Sequence, residues 1–293
     1  MRRRTRPLLW LTAPPRIFRS TDIEDINKAA WATTLVMCRR SKEAMEAIKR
    51  GEIKEYIGTK KPVLLGTTAW PLNKIEKQYY RTVKEYIRFQ LNSGADWIIV
   101  HDLPVTDRDN KETEKKKWRI NLETAKAYIK LRDKEELSVR LIAIPQATTF
   151  QSMLRQAKTY EAIGIEVIGV SLAPWVRPAG GVLGREKQLK QQIVELLRAL
   201  RNQLYTPIIV LGSQEPNLAR ELYWKARVLT FEGSFIATRS FPKINRVPLR
   251  LEIEGDKAVW RPTLVSRRIE EYRPEKLLKG NIKTWIRYVL TPK

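Results

Sequence analysis

Short apolar runs alternate with amphipathic segments along most of the chain. The apolar runs are typical of strands that are buried on both faces, as in parallel sheets. The segments between them carry apolar residues at helical spacing, for example from Ile75 to Leu91. The pattern predicts strands at Leu8–Ala13, Leu35–Cys38, Val63–Leu65, Asp96–Val100, Val139–Ile144, Val167–Leu172, Pro207–Leu211 and Val228–Phe231.

Helices are expected between these strands. One is predicted from Ser20 or Thr21 to about Ala32, and another from Ser41 to near Gly51. The strands and helices follow one another too closely for a sheet built of hairpins, so the chain reads as a series of βα units with parallel strands. About eight such units over residues 1–240 predict an α/β fold, a (β/α)₈ TIM-like barrel.

The C-terminal segment has a different pattern. Leu249–Glu254 and Lys257–Trp260 alternate apolar and polar residues, which predicts a β-hairpin, and a last helix is expected from about Asn281 to Leu290. We expect residues 241–293 to form a small basic extension, a hairpin and a helix packed on the barrel, and not a separate domain.

The charge of the chain adds a prediction about its partner. A formal net charge of +24 over 293 residues favours a polyanion, with nucleic acid first and an anionic membrane second. Ordinary solubility charge is the alternative, and no apolar run is long enough for a membrane span. Cys38 is the only cysteine and His101 the only histidine, so we expect no disulfide framework, no Cys/His metal site and a cytoplasmic protein.

Polar residues follow several predicted strands, where α/β barrels place their chemistry. Asp102 comes directly after a buried strand, and Pro104 makes it a poor helix cap, so we expect Asp102 to be functional. His101 is expected to be structural, and Thr148 and Thr149 to cap a helix. The other polar residues after strands are Thr67, Thr68, Gln146, Gln214, Glu215, Glu232 and Ser234.

The order of these segments resembles the tRNA-guanine transglycosylase family, which includes relatives acting on 7-deazaguanine in DNA. The resemblance covers about residues 50 to 240 and depends on the succession of motifs, since no single one is specific. The segments that carry it are Tyr56–Trp70, Gly94–Asp102, Ile144–Gln146, Ile168–Leu172, Pro207–Pro216 and Phe231–Arg239.

The resemblance implies an enzyme that exchanges guanine in tRNA or DNA for a 7-deazaguanine through a covalent carboxylate–sugar intermediate. It places the nucleophile at Glu232, one methylene longer than the family's aspartate. The base would be read by Asp102, which accepts two N–H bonds, and by Gln146, which donates to the carbonyl. The base pocket would be completed by Gly169, Ser171 and Leu172, and phosphates would be held by Arg177, Arg185, Arg239, Lys243 and Arg246.

Two departures from the family pattern leave alternatives open. The position of the family's general acid/base falls on Gly66, so Thr67 or Thr68 would have to position a water. The family's zinc ligands are absent, and we expect no cofactor. The alternatives are a catalytically decayed barrel that only binds nucleic acid, and a barrel enzyme acting on a phosphorylated small molecule with Gly180, Gly181 and Gly184 as its phosphate loop. The family also makes a homodimer an open option.

Overall fold

Eight parallel strands form a closed barrel in this computed structural model, which describes residues 8–12, 31–33, 41–66, 79, 81–106, 108–171, 183–212, 214–233, 235–240, 247–263 and 274–292. Each strand pairs in parallel with the next along the chain. The barrel closes where Leu9 pairs with Phe231 and Trp10 with Glu232. The strands are β1 Leu8–Thr12, β2 Trp31–Thr33, β3 Val63–Leu65, β4 Trp97–Ile99, β5 Arg140–Ala143, β6 Val167–Ser171, β7 Ile208–Leu211 and β8 Thr230–Gly233.

Helices connect successive strands from β2 onward. They are α1 Lys42–Lys49, α2 Ile53–Ile57, α3 Val83–Leu91, α4 Lys111–Lys134, α5 Phe150–Ala162, α6 Leu183–Gln203, α7 Pro216–Lys225 and α8 Phe235–Ser240. The predicted α/β barrel is therefore confirmed. The helix predicted after β1 falls mostly on residues 13–30, which lie outside the described residues. In the described part of the chain, every helix is too short or too polar to cross a membrane.

Capping residues fix where several helices begin. Ser41 accepts a hydrogen bond from the Ala44 N–H and so caps α1, as predicted. Thr82 and Glu85 form a capping box in which each side chain bonds the other's backbone N–H. This box starts α3 at Val83, so the predicted helix is wrong at Tyr79, Arg81 and Thr82, where the chain turns and bends. Residues 75–78 and 80 of the prediction lie outside the described residues.

The barrel interior and the space beneath the helices contain two separate sets of buried residues. Alternate strand positions point inward, so the interior set takes every second residue of its strands. Gly169 also belongs to an inward position of β6, and a Cβ built there would lie 3.0 Å from Ile144 Cγ1 and 3.1 Å from Leu211 Cδ1. Because the interior is filled, a ligand of the barrel has to bind at the strand ends and not inside the ring of strands. The interior residues are Trp10, Leu64, Ile99, Ile142, Ile144, Val167, Ile209 and Leu211.

The C-terminal segment packs against the last strands of the barrel. The predicted hairpin is confirmed, with β9 Leu249–Glu254 antiparallel to β10 Lys257–Pro262. The final helix, α9 Pro274–Leu290, begins before the predicted Asn281. Trp285 of α9 is fully buried, and its ring meets Phe231 of β8 edge-on at 5.6 Å.

One predicted helix end and one predicted strand differ from the structure. A helix was expected to reach Ala32, but Trp31–Thr33 form β2 because Ala32 lies between its partners Leu11 and Val63. The strand predicted at Leu35–Cys38 lies outside the described residues. The last barrel strand begins at Thr230, not at Val228, because Leu8 pairs with Thr230.

Candidate functional site

Asp102 and Gln146 meet at the C-terminal ends of β4 and β5. The side-chain amide of Gln146 donates a hydrogen bond from Nε2 to Asp102 Oδ2. Gln156 of α5 holds the backbone of Gln146 in place, since its Oε1 accepts from the Gln146 N–H at 2.8 Å and its Nε2 donates to the Gln146 carbonyl at 3.1 Å. The structure therefore brings together the two residues to which the family resemblance gives base recognition.

The Asp102 carboxyl group is buried without a charged partner. Only 8% of Asp102 is exposed, and among the described residues no lysine or arginine pairs with it. Burial raises the pKa of Asp102 to about 6, against the smaller opposing effect of its hydrogen bonds. Burial also raises the pKa of the Tyr160 hydroxyl, and the charge of Asp102 adds to that effect. The carboxylate is therefore ionised at neutral pH at a cost in stability.

Asp102 and Gln146 can both form further hydrogen bonds besides the one that joins them. A carboxamide nitrogen carries two hydrogens, so Gln146 Nε2 has a second N–H to donate. An ionised carboxylate has about four acceptor positions, of which the bonds from Gln146 and from the Asp102 backbone N–H take two. The pair thus offers one N–H donor, from Gln146, beside the two acceptor oxygens of Asp102. A ligand that matches it has one hydrogen-bond acceptor beside two donors on the same edge. The pairing edge of guanine has this pattern.

Glu232 lies across the barrel mouth from this pair. Three strands separate β8 from β4 in either direction around the barrel, and both strands end on the same side. Phe231 packs outward on Trp285, so the neighbouring Glu232 faces the interior side. Its Oε2 accepts a hydrogen bond from the Gly212 N–H at 3.2 Å, and the residue is half-buried.

A second buried network joins the ends of β3 and β4. Gln90 of α3 donates from Nε2 to the Gly66 carbonyl at 2.8 Å and accepts from the Tyr128 hydroxyl. That hydroxyl in turn accepts from the His101 backbone N–H at 3.3 Å. The His101 ring is buried and meets Tyr86 edge-on at 5.6 Å, in agreement with a structural role.

Two glutamines, Gln90 and Gln156, were missed by the sequence reasoning. Each interrupts the apolar face of a helix, Gln90 beside Leu91 and Gln156 beside Ala157, and both are buried. A polar residue within a buried stripe has to find a partner inside the protein. A glutamine within the apolar stripe of a predicted helix is therefore the sequence signal by which these two residues could have been found.

Other strand-end residues fix the backbone. Gln214 is fully buried, donates to the Trp10 carbonyl at 2.9 Å and accepts from the Ile236 N–H at 3.2 Å. Glu215 caps α7 by accepting from the N–H groups of Asn217 and Leu218. Gln214 therefore ties the segment after β7 to β1 and to the start of α8, and Glu215 fixes the start of α7.

The two threonines after β5 have separate partners. Thr149 caps α5, as predicted, by accepting from the Ser152 N–H at 3.2 Å. The same prediction is wrong for Thr148, which precedes the cap and donates from its hydroxyl to Glu114 of α4 at 2.7 Å. The loop after Gln146 is therefore tied to both of the helices beside it.

The other predicted residues that the structure describes lie in three elements, β6, α6 and α8. Gly169 lies inside β6, and Ser171 is half-buried at the end of that strand. Arg239 is exposed in the last turn of α8, and Arg185 and Gly184 lie in α6, where the Arg185 side chain is not described. The residues outside the described ranges are Thr67, Thr68, Leu172, Arg177, Gly180, Gly181, Ser234, Lys243 and Arg246.

The described residues contain no group of three or more His, Cys, Asp or Glu side chains that could hold a metal ion. No protein-family model matches the chain, and no curated protein matches it. The arrangement of Asp102, Gln146 and Glu232 is therefore the basis for a functional assignment.

Proposed function

We propose that this protein exchanges a guanine base in tRNA or DNA for a 7-deazaguanine, and that Asp102 and Gln146 recognise the base. The observation that carries the proposal is the buried Asp102–Gln146 pair at the mouth of the barrel. Asp102 accepts from the two N–H donors on the pairing edge, and Gln146 donates to the neighbouring carbonyl. The same proposal takes the barrel as a (β/α)₈ TIM-like barrel and the protein as cytoplasmic, where tRNA and DNA are available.

Glu232 is the proposed nucleophile. Its carboxylate attacks the sugar C1′ as the bond from C1′ to guanine N9 breaks, and the leaving guanine takes the electron pair and a proton from water. The incoming base then gives up its N9 proton to water and attacks C1′, which releases the carboxylate. Extrusion of the target nucleotide from its stack brings C1′ to the mouth of the barrel.

Base exchange is tested by incubating the protein with tRNA or DNA and labelled guanine or 7-deazaguanine. Incorporation of label by the wild type, and its loss in Glu232→Gln and Asp102→Asn, would support the proposal. Asp96→Asn is the matched control, because Asp96 lies at the opposite end of β4 and bonds Lys54 and Val63. Absence of label in nucleic acid with the wild type would refute the enzyme assignment.

A second candidate function is nucleic-acid binding without catalysis. Gly66, at the position that the family resemblance gives to the general acid/base, offers only its backbone, and its carbonyl accepts from Gln90. In that case nucleic acid binds with a strong salt dependence. Such binding would be unchanged by Glu232→Gln and Asp102→Asn, and no label would be exchanged.

A further inference from the structure

Helix α4 carries an exposed row of positive charge. The helix is 24 residues long, which is about 36 Å, and it follows directly after the loop that bears Asp102. Its buried residues are Asn121, Thr124, Ala125 and Tyr128, so the opposite face points to solvent. We call the cations on that face the α4 row, which consists of the exposed residues Lys111, Lys115, Lys116, Arg119, Lys126, Lys130 and Lys134.

The charges of the α4 row are not balanced within the helix. Among the described residues, Lys126 pairs with Glu123, and the other six members of the row make no ion pair. By contrast, the two cations of α4 outside the row are part-buried and paired, Lys117 with Asp109 and Arg132 with Glu166. The helix therefore separates cations that stabilise the fold from cations that face outward, six of which have no ion-pair partner in the described part of the chain.

The spacing of the α4 row is unfavourable for the isolated helix. Lys111, Lys115 and Arg119 follow one another at steps of four, and like charges at this spacing repel each other. Lys111 is also the first residue of the helix, where the positive end of the helix dipole disfavours a cation. The same step of four recurs at Lys126, Lys130 and Lys134. A polyanion bound along the helix would remove this repulsion.

The position of α4 connects the row to the candidate site. Parallel strands place the start of α4 at the barrel mouth, on the same side as Asp102. Glu114 of α4 accepts a hydrogen bond at 2.7 Å from Thr148, which lies two residues after Gln146. The first half of the row therefore flanks the mouth, and the second half leads away from it.

We propose that the α4 row binds the phosphate backbone of nucleic acid and guides the strand to the barrel mouth. The choice of nucleic acid as the partner rests on the proposed function. The new element is the surface, the α4 row, to which the nucleic acid binds. A membrane is a poorer fit, because helices that lie on membranes present large apolar residues beside the cations. Ile120 is the one large apolar residue on the exposed face of α4.

The test compares two triple variants of the full chain with equal loss of charge. The first is Lys111→Gln, Lys115→Gln and Arg119→Gln on α4. The control is Lys49→Gln, Lys158→Gln and Arg198→Gln, which are exposed residues in the second halves of α1, α5 and α6, away from the barrel mouth. Glutamine is a good helix former, so both variants are expected to fold, and circular dichroism checks this.

Binding is measured by fluorescence anisotropy with labelled single-stranded DNA, duplex DNA and tRNA across a salt series. The α4 variant is expected to bind at least about ten-fold more weakly near 0.1 M salt, with a salt slope that falls by about 2 for single strands and about 3 for duplex. The control variant is expected to stay within about two-fold of the wild type, since its lost charges lie away from the bound backbone. The nucleic acid whose affinity falls most in the α4 variant is identified as the kind that binds this surface.

Three results would overturn the inference: equal weakening of binding in both variants, wild-type protein that does not bind nucleic acid, and binding only to phosphatidylserine vesicles.

Base exchange is measured separately from binding. If the α4 variant loses binding while the wild type exchanges no base, the proposed function fails and the α4 surface stands. If the wild type exchanges bases and the α4 variant binds normally, the surface fails and the function stands.

Discussion

Replacing Asp102 by asparagine is expected to stabilise the protein at neutral pH. Burial raises the pKa of Asp102 from 3.8 to about 6. At about 1.4 kcal/mol for each pKa unit, the ionised carboxylate costs the folded state about 3 kcal/mol relative to the neutral form. The hydrogen bond from Gln146 opposes the shift and is already included in this pKa, so it subtracts nothing further. The expectation is a gain of about 3 kcal/mol in the free energy of unfolding.

The sign of the pH dependence follows from the raised pKa. In the folded protein Asp102 holds its proton more tightly than in the unfolded chain. Its contribution to stability is therefore fully present below about pH 4 and is lost as the pH rises through about 6. The asparagine side chain of the variant has no proton to lose, so the stability difference between variant and wild type is expected to grow by about 3 kcal/mol from about pH 4 to about pH 8.

Urea unfolding followed by tryptophan fluorescence at a series of pH values measures this difference. Asp96→Asn is the matched control, because Asp96 accepts bonds from Lys54 Nζ at 2.6 Å and from the Val63 N–H at 2.8 Å. Removing that partly exposed ion pair is expected to destabilise the protein by about 1 kcal/mol at neutral pH. A stability difference for Asp102→Asn that does not change with pH, or a less stable variant at about pH 8, would refute the reasoning.

Three further substitutions test how the barrel holds the site, each by urea unfolding. Gln214→Leu leaves the Trp10 carbonyl and the Ile236 N–H without their bonds and should cost about 2–4 kcal/mol; an unchanged midpoint would contradict the anchoring role. Gly169→Val overfills the interior beside Ile144 and Leu211 and should cost about 1–3 kcal/mol, whereas a neutral effect would indicate free space there. Thr82→Ala removes the capping box of α3 and should cost about 1 kcal/mol, while Thr82→Ser should restore most of the loss.

The sequence predicted the parts of the fold that local patterns control. The apolar run before His101 became β4, and Thr149 caps α5 as its position suggested. Trp31–Thr33 could not be assigned correctly, because β2 is defined by its pairing with β1 and β3, which are distant in the sequence. Local pattern also extended α3 too far toward its N-terminus, since the capping box at Thr82 was overlooked.

The candidate site was predicted in its residues but not in its supports. The strand pattern placed Asp102 and Gln146 among the polar residues on one rim of the barrel, and the family resemblance then paired them. Their support by Gln156, and the bond from the Trp285 indole to the Gln214 carbonyl at 3.0 Å, are contacts between segments far apart in the sequence. Such contacts depend on how the helices pack on the barrel, and hydrophobic periodicity does not determine them.

The central claim is that the Asp102–Gln146 pair recognises a guanine edge, and calorimetric titration with 7-deazaguanine tests it most directly. Wild-type protein and Asp96→Asn are expected to bind it above about pH 7, and affinity should fall below about pH 6 as Asp102 takes up a proton. Asp102→Asn is expected to bind at least about ten-fold more weakly, because one charged hydrogen bond is worth about 1.5–3 kcal/mol. Equal affinity in Asp102→Asn and wild type would contradict the claim.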